Sequence, residues 1–258
     1  MHRLRVRTRW LRFTLAAFLA AAGALWFYDL TLPWPVLLRW REPGTTAFMH
    51  MRAAQARDSD TAFTIEHQWV PLSDISRNLT RAVVLAEDGR FYEHAGIDWL
   101  ALREELRYRG DDEFSVLDPG DLRALAGALA YYLVNQEEIR GRSTITQQLA
   151  KNLYFGPERS LLRKLGELIV AKRLERFLPK DRILELYLNV AEWGPGIFGA
   201  DAAANHYFGR SAANLTRDQG AALAATLPHP LTSNPTTRPA QMEWRKRQIL
   251  DRIRRTGG

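Results

Sequence analysis

Hydrophobic positions change their spacing several times along the chain. Residues 13–28 form an uncharged run dominated by Ala, Leu and Phe, which predicts a helix about 24 Å long at ~1.5 Å per residue. From 33 to 60 the pattern lapses around Pro33, Pro35, Pro43 and Gly44, as expected of an irregular connector. Phe63, Ile65, His67 and Trp69 then alternate with polar residues until Pro71, which predicts one short strand. Beyond Pro71 helical spacing takes over. An apolar run at 82–86 leads into Glu87-Asp88, and Ile145, Leu149 and Leu153 share one helical face. Ser143 reads as the N-cap of that helix and Gly156-Pro157 as its stop. Residues 161–177 and 183–190 are amphipathic and parted near Pro179. The stretch 201–227 is Ala-rich and helical, and 241–255 is a basic terminal helix. The pattern predicts one mainly α domain with a short β element, carried on an N-terminal helix.

Charge orients that helix. Residues 1–12 hold five arginines and no acid, so the positive-inside rule places this leader in the cytoplasm and everything after residue 30 outside. The expected layout is a leader over 1–12, a transmembrane helix over 13–30, a connector over 31–60 and a domain over 61–258, with that domain on the outer side of the membrane. Trp26, Phe27, Tyr28 and Trp34 suit an interfacial belt. A cleaved signal peptide is the competing reading, with Ala20-Ala21-Ala22 before Gly23. The apolar run continues past that point, which favours the uncleaved anchor.

The 258 residues, 46% hydrophobic and 25% charged, exclude wholesale disorder. The lack of cysteine removes disulfides, thiolate metal sites and a cysteine nucleophile. Net charge is +7, but five units sit at each end of the chain, which argues against a nucleic-acid-binding face.

Several chemistries drop out. The six histidines never fall at ligand spacing, so no metal site is expected. Gly141-Arg142-Ser143 lacks the second glycine of a nucleophile elbow. Residues 194–199 match a dinucleotide fingerprint only formally, since they follow a helix-like segment and carry Pro195, and they read as a loop. No Ser-x-x-Lys occurs. What remains is carboxylate chemistry. A Glu87 backed by Val83, Val84 and Phe91 would be partly desolvated, which suits a general acid or base; a solvated pair at a helix end explains the same letters. Thr144, Gln147, Gln148 and Lys151 share the polar face of their helix and suit a sugar or phosphate, as well as a solvated face. Arg163 and Lys164 both neighbour Glu167 at helical spacing. Residues 87–121 hold eleven acids against four bases, and residues 140–182 eleven bases against four acids. A groove between them would set a carboxylate wall against a cationic one. That layout deprotonates a nucleophile and stabilises an anionic leaving group.

These residues resemble the peptidoglycan glycosyltransferases of glycosyltransferase family 51, in their monofunctional membrane-anchored form. Glu87-Asp88-x-x-Phe91-x-x-His94-x-Gly96 is similar to the first motif and Ser143-Thr144-x-x-Gln147-Gln148-x-x-Lys151-Asn152 to the second. Arg163-Lys164-x-x-Glu167 and Ile183-Leu184-Glu185-x-Tyr187-Leu188-Asn189 resemble the third and fourth. The resemblance implies a lysozyme-like fold that polymerises lipid II. Glu87 would activate the acceptor hydroxyl; Lys151, Arg163 and Lys164 would stabilise the leaving diphosphate. Glu167 would orient these groups or assist departure. Asp88, Phe91, His94, Ser143, Thr144, Gln148 and Asn152 would shape the sugar and phosphate sites. No obligatory cofactor is implied, divalent-cation stimulation being left open. The implied partners are lipid II, the growing glycan, membrane lipid and proteins of wall synthesis or division. Arg142 stands where the family usually has a small residue, and 111–138 look like an insertion. Its apolar stretch at 124–134, with Asp121 as cap, is a buried helix or part of a membrane-dipping jaw. A lytic muramidase on the same scaffold and a non-catalytic tethered scaffold are the rival functions; the first has little need of the cations at 151–164.

Overall fold

The computed structural model describes residues 2–59, 63–110, 118–135, 143–156 and 160–256. The chain opens with α1 (His2–Thr31). Its described apolar side chains Leu19, Leu25, Trp26, Phe27 and Leu30 are all exposed. Among the described residues no helix is long and apolar enough to cross a membrane.

The segment after α1 is anchored rather than loose. Tyr28 Oη donates to the Leu162 carbonyl at 2.9 Å. Arg173 donates to the carbonyls of Asp29, Leu32 and Pro33 at 2.8, 2.7 and 3.1 Å, pairs with the Asp29 carboxylate at 2.9 Å and lies 4.1 Å from the centre of the Trp34 ring. Arg182 does the same for the carbonyls of Leu38 and Arg41. The expectation of an irregular connector is corrected here. Its prolines confine a 3-10 turn at Pro35–Arg39, but Thr46 then caps a helix, α2 (Ala47–Asp58), by accepting from the Met49 N–H. Phe48 and Met49 bury its inner face.

The remaining elements are β1 (Glu66–His67), α3 (Arg77–Glu87), α4 (Trp99–Glu105), α5 (Pro119–Val134), α6 (Ile145–Tyr154), α7 (Leu161–Phe177), α8 (Lys180–Val190), β2 (Glu192–Gly194), β3 (Ile197–Phe198), α9 (Ala200–Phe208), α10 (Arg217–Thr226) and α11 (Pro239–Arg255). The core forms where α6 packs on α7 and α8, with Ile145, Leu149, Val170, Leu174, Leu186 and Leu188 fully buried. α10 packs against both α3 and α11. Its run of Ala and Gly permits close approach: a methyl group on Gly220 would come within 2.8 Å of the Asn78 backbone. This contact seats α3, the helix that ends in Glu87.

The β element is a three-stranded sheet in the order β1-β3-β2, parallel between β1 and β3 and antiparallel between β2 and β3. The expected strand over 63–69 shrinks to two residues because Asn189 captures the chain beyond it. Its amide accepts from the Val70 N–H and donates to the Val70 carbonyl, at 3.0 and 2.8 Å. The expected loop at 194–199 is the β2–β3 hairpin. Gly199 follows it with φ of 89°, and a Cβ there would meet the Asn189 carbonyl at 2.9 Å, so only glycine fits.

Three helix ends also differ from expectation. Thr144, not Ser143, caps α6, although α6 ends where expected, with Phe155 as its last, extended cap and Gly156 immediately past it. Asp118, not Asp121, caps α5. The Ala-rich stretch splits into α9 and α10 because Gly209 adopts a left-handed conformation. Pro157, Arg142 and residues 111–117 and 136–138 of the expected insertion lie outside the described residues.

Candidate active site

α3 delivers Glu87 at its last turn. The Glu87 carboxylate accepts a hydrogen bond from Gln148 Nε2 at 2.8 Å. Gln148 is itself fixed: its Oε1 accepts from Tyr187 Oη at 3.0 Å, and its Nε2 also reaches the Ser143 carbonyl at 3.2 Å. Tyr187 is fully buried, and burial pushes its hydroxyl well above the usual tyrosine value. It therefore stays a donor, which turns the amide NH₂ of Gln148 toward Glu87.

Burial raises Glu87 above the ordinary carboxylate value, against the Gln148 hydrogen bond and the charges of Lys151 and Arg245, which lower it. Lys151 lies one helical turn from Gln148 on α6. Burial lowers its ammonium, with the Arg163 charge acting in the same sense and Glu87 opposing. Among the described residues Lys151 makes no hydrogen bond or ion pair, and its Nζ stands 5.6 Å from the Phe48 ring centre. Gln148, Lys151 and Asn152 line one cleft of about 330 Å³, together with residues 227–232. Glu87, partly exposed, adjoins that wall through its hydrogen bond to Gln148. The acid and the cation are near enough for the charge of each to act on the other.

α7 supplies more cations. Arg163 and Lys164 both pair with Glu167, the lysine at 3.3 Å. Lys164 Nζ also donates to Ser143 Oγ at 2.8 Å and Gln147 Oε1 at 3.2 Å. Glu167 is buried beneath them. The electric fields of Arg163 and Glu87 meet at Lys151, so the three motifs converge in space.

Other residues expected to shape the sugar and phosphate sites bond inward instead. Asp88 is buried; it accepts from the Ile145 N–H at 3.0 Å and contacts His94 Nε2 at 2.9 Å. It thereby holds α6 to the end of α3. Thr144 Oγ1 donates to the Gly96 carbonyl at 2.7 Å, and Gln147 reaches the same carbonyl at 3.2 Å. The polar face read along α6 is therefore divided: Thr144 and Gln147 are buried, and Gln148 and Lys151 face the cleft. The Phe91 ring is fully buried with Lys180 Nζ 4.3 Å above it, so its contacts are with the core. The fold also brings His94 between Asp88 and Asp98, their ligand atoms within 4.8 Å of one another. Sequence spacing gave no sign of this. These groups are already engaged: Arg90 and the Ala101 N–H take Asp98, and the Ile145 N–H takes Asp88.

Sequence reasoning did not single out Tyr187, Arg245, Arg52 or Glu192 as site residues. Tyr187 lies within the fourth motif, which was a usable signal. Arg245 comes from α11; its Nη1 is buried without a partner among the described residues, and its charge acts on Glu87. Nothing local in the sequence points to it.

A carboxylate tied through Gln148 to a cleft that Lys151 lines, in a mainly helical domain, is an arrangement suited to a group-transfer enzyme. Comparison with known proteins narrows the class. The Transglycosylase family matches residues 57–110 and 105–254. A protein of Bordetella pertussis named biosynthetic peptidoglycan transglycosylase is 42% identical over 229 residues, covering 87% of this chain and 85% of its own. Proteins of the same name from Thiobacillus denitrificans and Dechloromonas aromatica are 40% and 38% identical, each covering 88% of this chain and 87% of its own. The chain belongs to the transglycosylase family.

Proposed function

We propose that this chain polymerises lipid II into β-1,4-linked glycan strands of peptidoglycan, on a lysozyme-like domain held outside the inner membrane. The observation that carries the reading is the convergence on α6: Gln148 grips Glu87, and Lys151, one turn away, faces the cleft that Gln148 also lines. Glu87 accepts the proton of the acceptor sugar's 4-hydroxyl. The oxygen forms its bond to the donor's anomeric carbon as the bond from that carbon to the diphosphate oxygen breaks, inverting the centre. The electron pair leaves with the undecaprenyl diphosphate. Lys151, Arg163 and Lys164 receive that charge, and Glu167 holds the two α7 cations in place. Ser143 and Asn152 contribute polar groups beside them. Asp88, His94, Thr144 and Phe91 act from behind, by fixing the α3–α6 junction.

Burial of Glu87 supports its role, because a base is most effective when its pKa approaches the working pH. The cations favour transfer over glycan hydrolysis, where a sugar leaving group needs no such cluster. The exposed apolar side chains of α1 support an anchor over 13–30, with leader 1–12 inside and the domain over 61–258 outside. The test is incubation of the purified chain with lipid II. Long glycan and free undecaprenyl diphosphate are the expected products; muropeptides released from sacculi, with no polymer, would overturn the reading.

α5 extends membrane contact in the same proposal. Leu122, Leu125 and Val134 are exposed on it while Ala128 is buried; Leu129 and Leu133, read with them in the sequence, lie outside the described side chains. Replacing Leu122 and Leu125 by Ser is expected to weaken vesicle binding of a chain lacking residues 1–27, with helical circular dichroism unchanged. Equal co-sedimentation with vesicles would count against a lipid-facing α5.

A further inference from the structure

Among the residues on the cleft that holds Gln148 and Lys151, several lie outside the four motifs, including Phe48 and Arg52 of α2 and Glu192 of β2. Arg52 grips Glu192 with two prongs, Nε to Oε1 and Nη2 to Oε2, both at 2.8 Å. Its third nitrogen donates to Gln55 at 3.0 Å. Glu192 is only 6% exposed, and burial pushes it above the usual carboxylate value although Arg52 and Lys151 pull it back. An ion pair so placed is a poor stabiliser, since well-packed apolar side chains generally serve a fold as well or better. Its position on the cleft wall gives it another use.

Each Glu192 oxygen has acceptor capacity beyond its bonds to Arg52. The pair is jointly neutral, so this side of the cleft attracts hydroxyl and amide groups rather than the diphosphate, which the cations of α6 and α7 take. The Phe48 ring, with Arg52 5.2 Å from its centre and Lys151 5.6 Å, offers an apolar surface beside these polar groups. Such a mixture fits a hexopyranose, with polar rims and C–H faces. We propose that α2 and β2 together build a saccharide subsite, in which the Arg52–Glu192 pair hydrogen-bonds an N-acetylated hexosamine of the glycan. The choice of sugar rests on the transferase reading above.

The test uses the full chain with Arg52→Met and Glu192→Leu combined, which removes the pair without stranding a charge. With lipid II, KM is expected to rise about tenfold, equivalent to about 1.4 kcal/mol, with kcat within threefold and the melting temperature unchanged. A pair that merely joins α2 to β2 would lower the melting temperature and leave KM alone, and that result overturns the proposal. Should the double variant fail to fold, Arg52→Lys keeps the charge but loses the fork, and a several-fold rise in KM is expected; an unchanged KM overturns the subsite. If the parent chain shows no turnover, the transferase reading fails separately. Calorimetric titration with a lipid-free N-acetylhexosamine tetrasaccharide then decides: heat from the parent but not the double variant supports the subsite, and equal heats or none from the parent overturn it.

Discussion

Glu87→Gln is expected to lower turnover of lipid II by at least about 10²-fold, the scale of losing a general base. Glutamine keeps the size of the side chain and an oxygen for Gln148 Nε2 to donate to, so the cleft wall should stand. A loss of only a few-fold would place the base elsewhere. The same variant carries a stability prediction of opposite sign. Burial raises Glu87, so the folded chain binds that proton more tightly than the unfolded one. Stability from this group is therefore present at low pH and lost as pH rises through the raised value. At neutral pH the ionised carboxylate is a cost to the fold. Glu87→Gln should consequently melt higher than the parent at pH 7, and the difference should shrink as pH falls toward the ordinary carboxylate range. An inactive variant that melts lower at pH 7 would mean that the carboxylate's attraction to Lys151 and Arg245 outweighs its burial.

Much of this geometry was legible because it is local. The paired spacing of Arg163 and Lys164 with Glu167 is a property of any helix, and α7 runs over the residues that the pattern marked. The apolar face of α6 was equally readable, since Ile145, Leu149 and Leu153 all turn inward. What escaped depends on contacts between distant segments. α2 has too short an apolar face to show periodicity, and its importance comes from Glu192, 140 positions away. The polar side of α6 looked uniform in sequence; only the approach of Gly96 buries Thr144 and Gln147 and leaves Gln148 and Lys151 facing the cleft. Gly209 divided an Ala-rich stretch whose composition alone read as continuous helix, because a left-handed turn needs no change in hydrophobicity.

Lys151→Met carries the second large effect. The ammonium makes no ion pair among the described residues and faces the cleft; in the proposed mechanism its partner is the developing charge on the leaving diphosphate. Loss of such a donor costs about 10²–10³-fold in kcat where comparable groups have been removed, and the same scale is expected here. A fall in kcat/KM below tenfold would assign the diphosphate to Arg163 and Lys164 alone. The pH profile separates this role from simple packing. Burial lowers Lys151, so parent activity should decline on the alkaline side as the ammonium loses its proton below the usual lysine range. It should decline on the acid side as Glu87 gains one, giving a bell. The two groups act on each other: the Lys151 charge lowers Glu87 and the Glu87 charge raises Lys151. Lys151→Met should therefore abolish the alkaline limb and move the acid limb to higher pH in the residual activity. An acid limb that stays in place would show that the carboxylate and the ammonium do not share one electrostatic site.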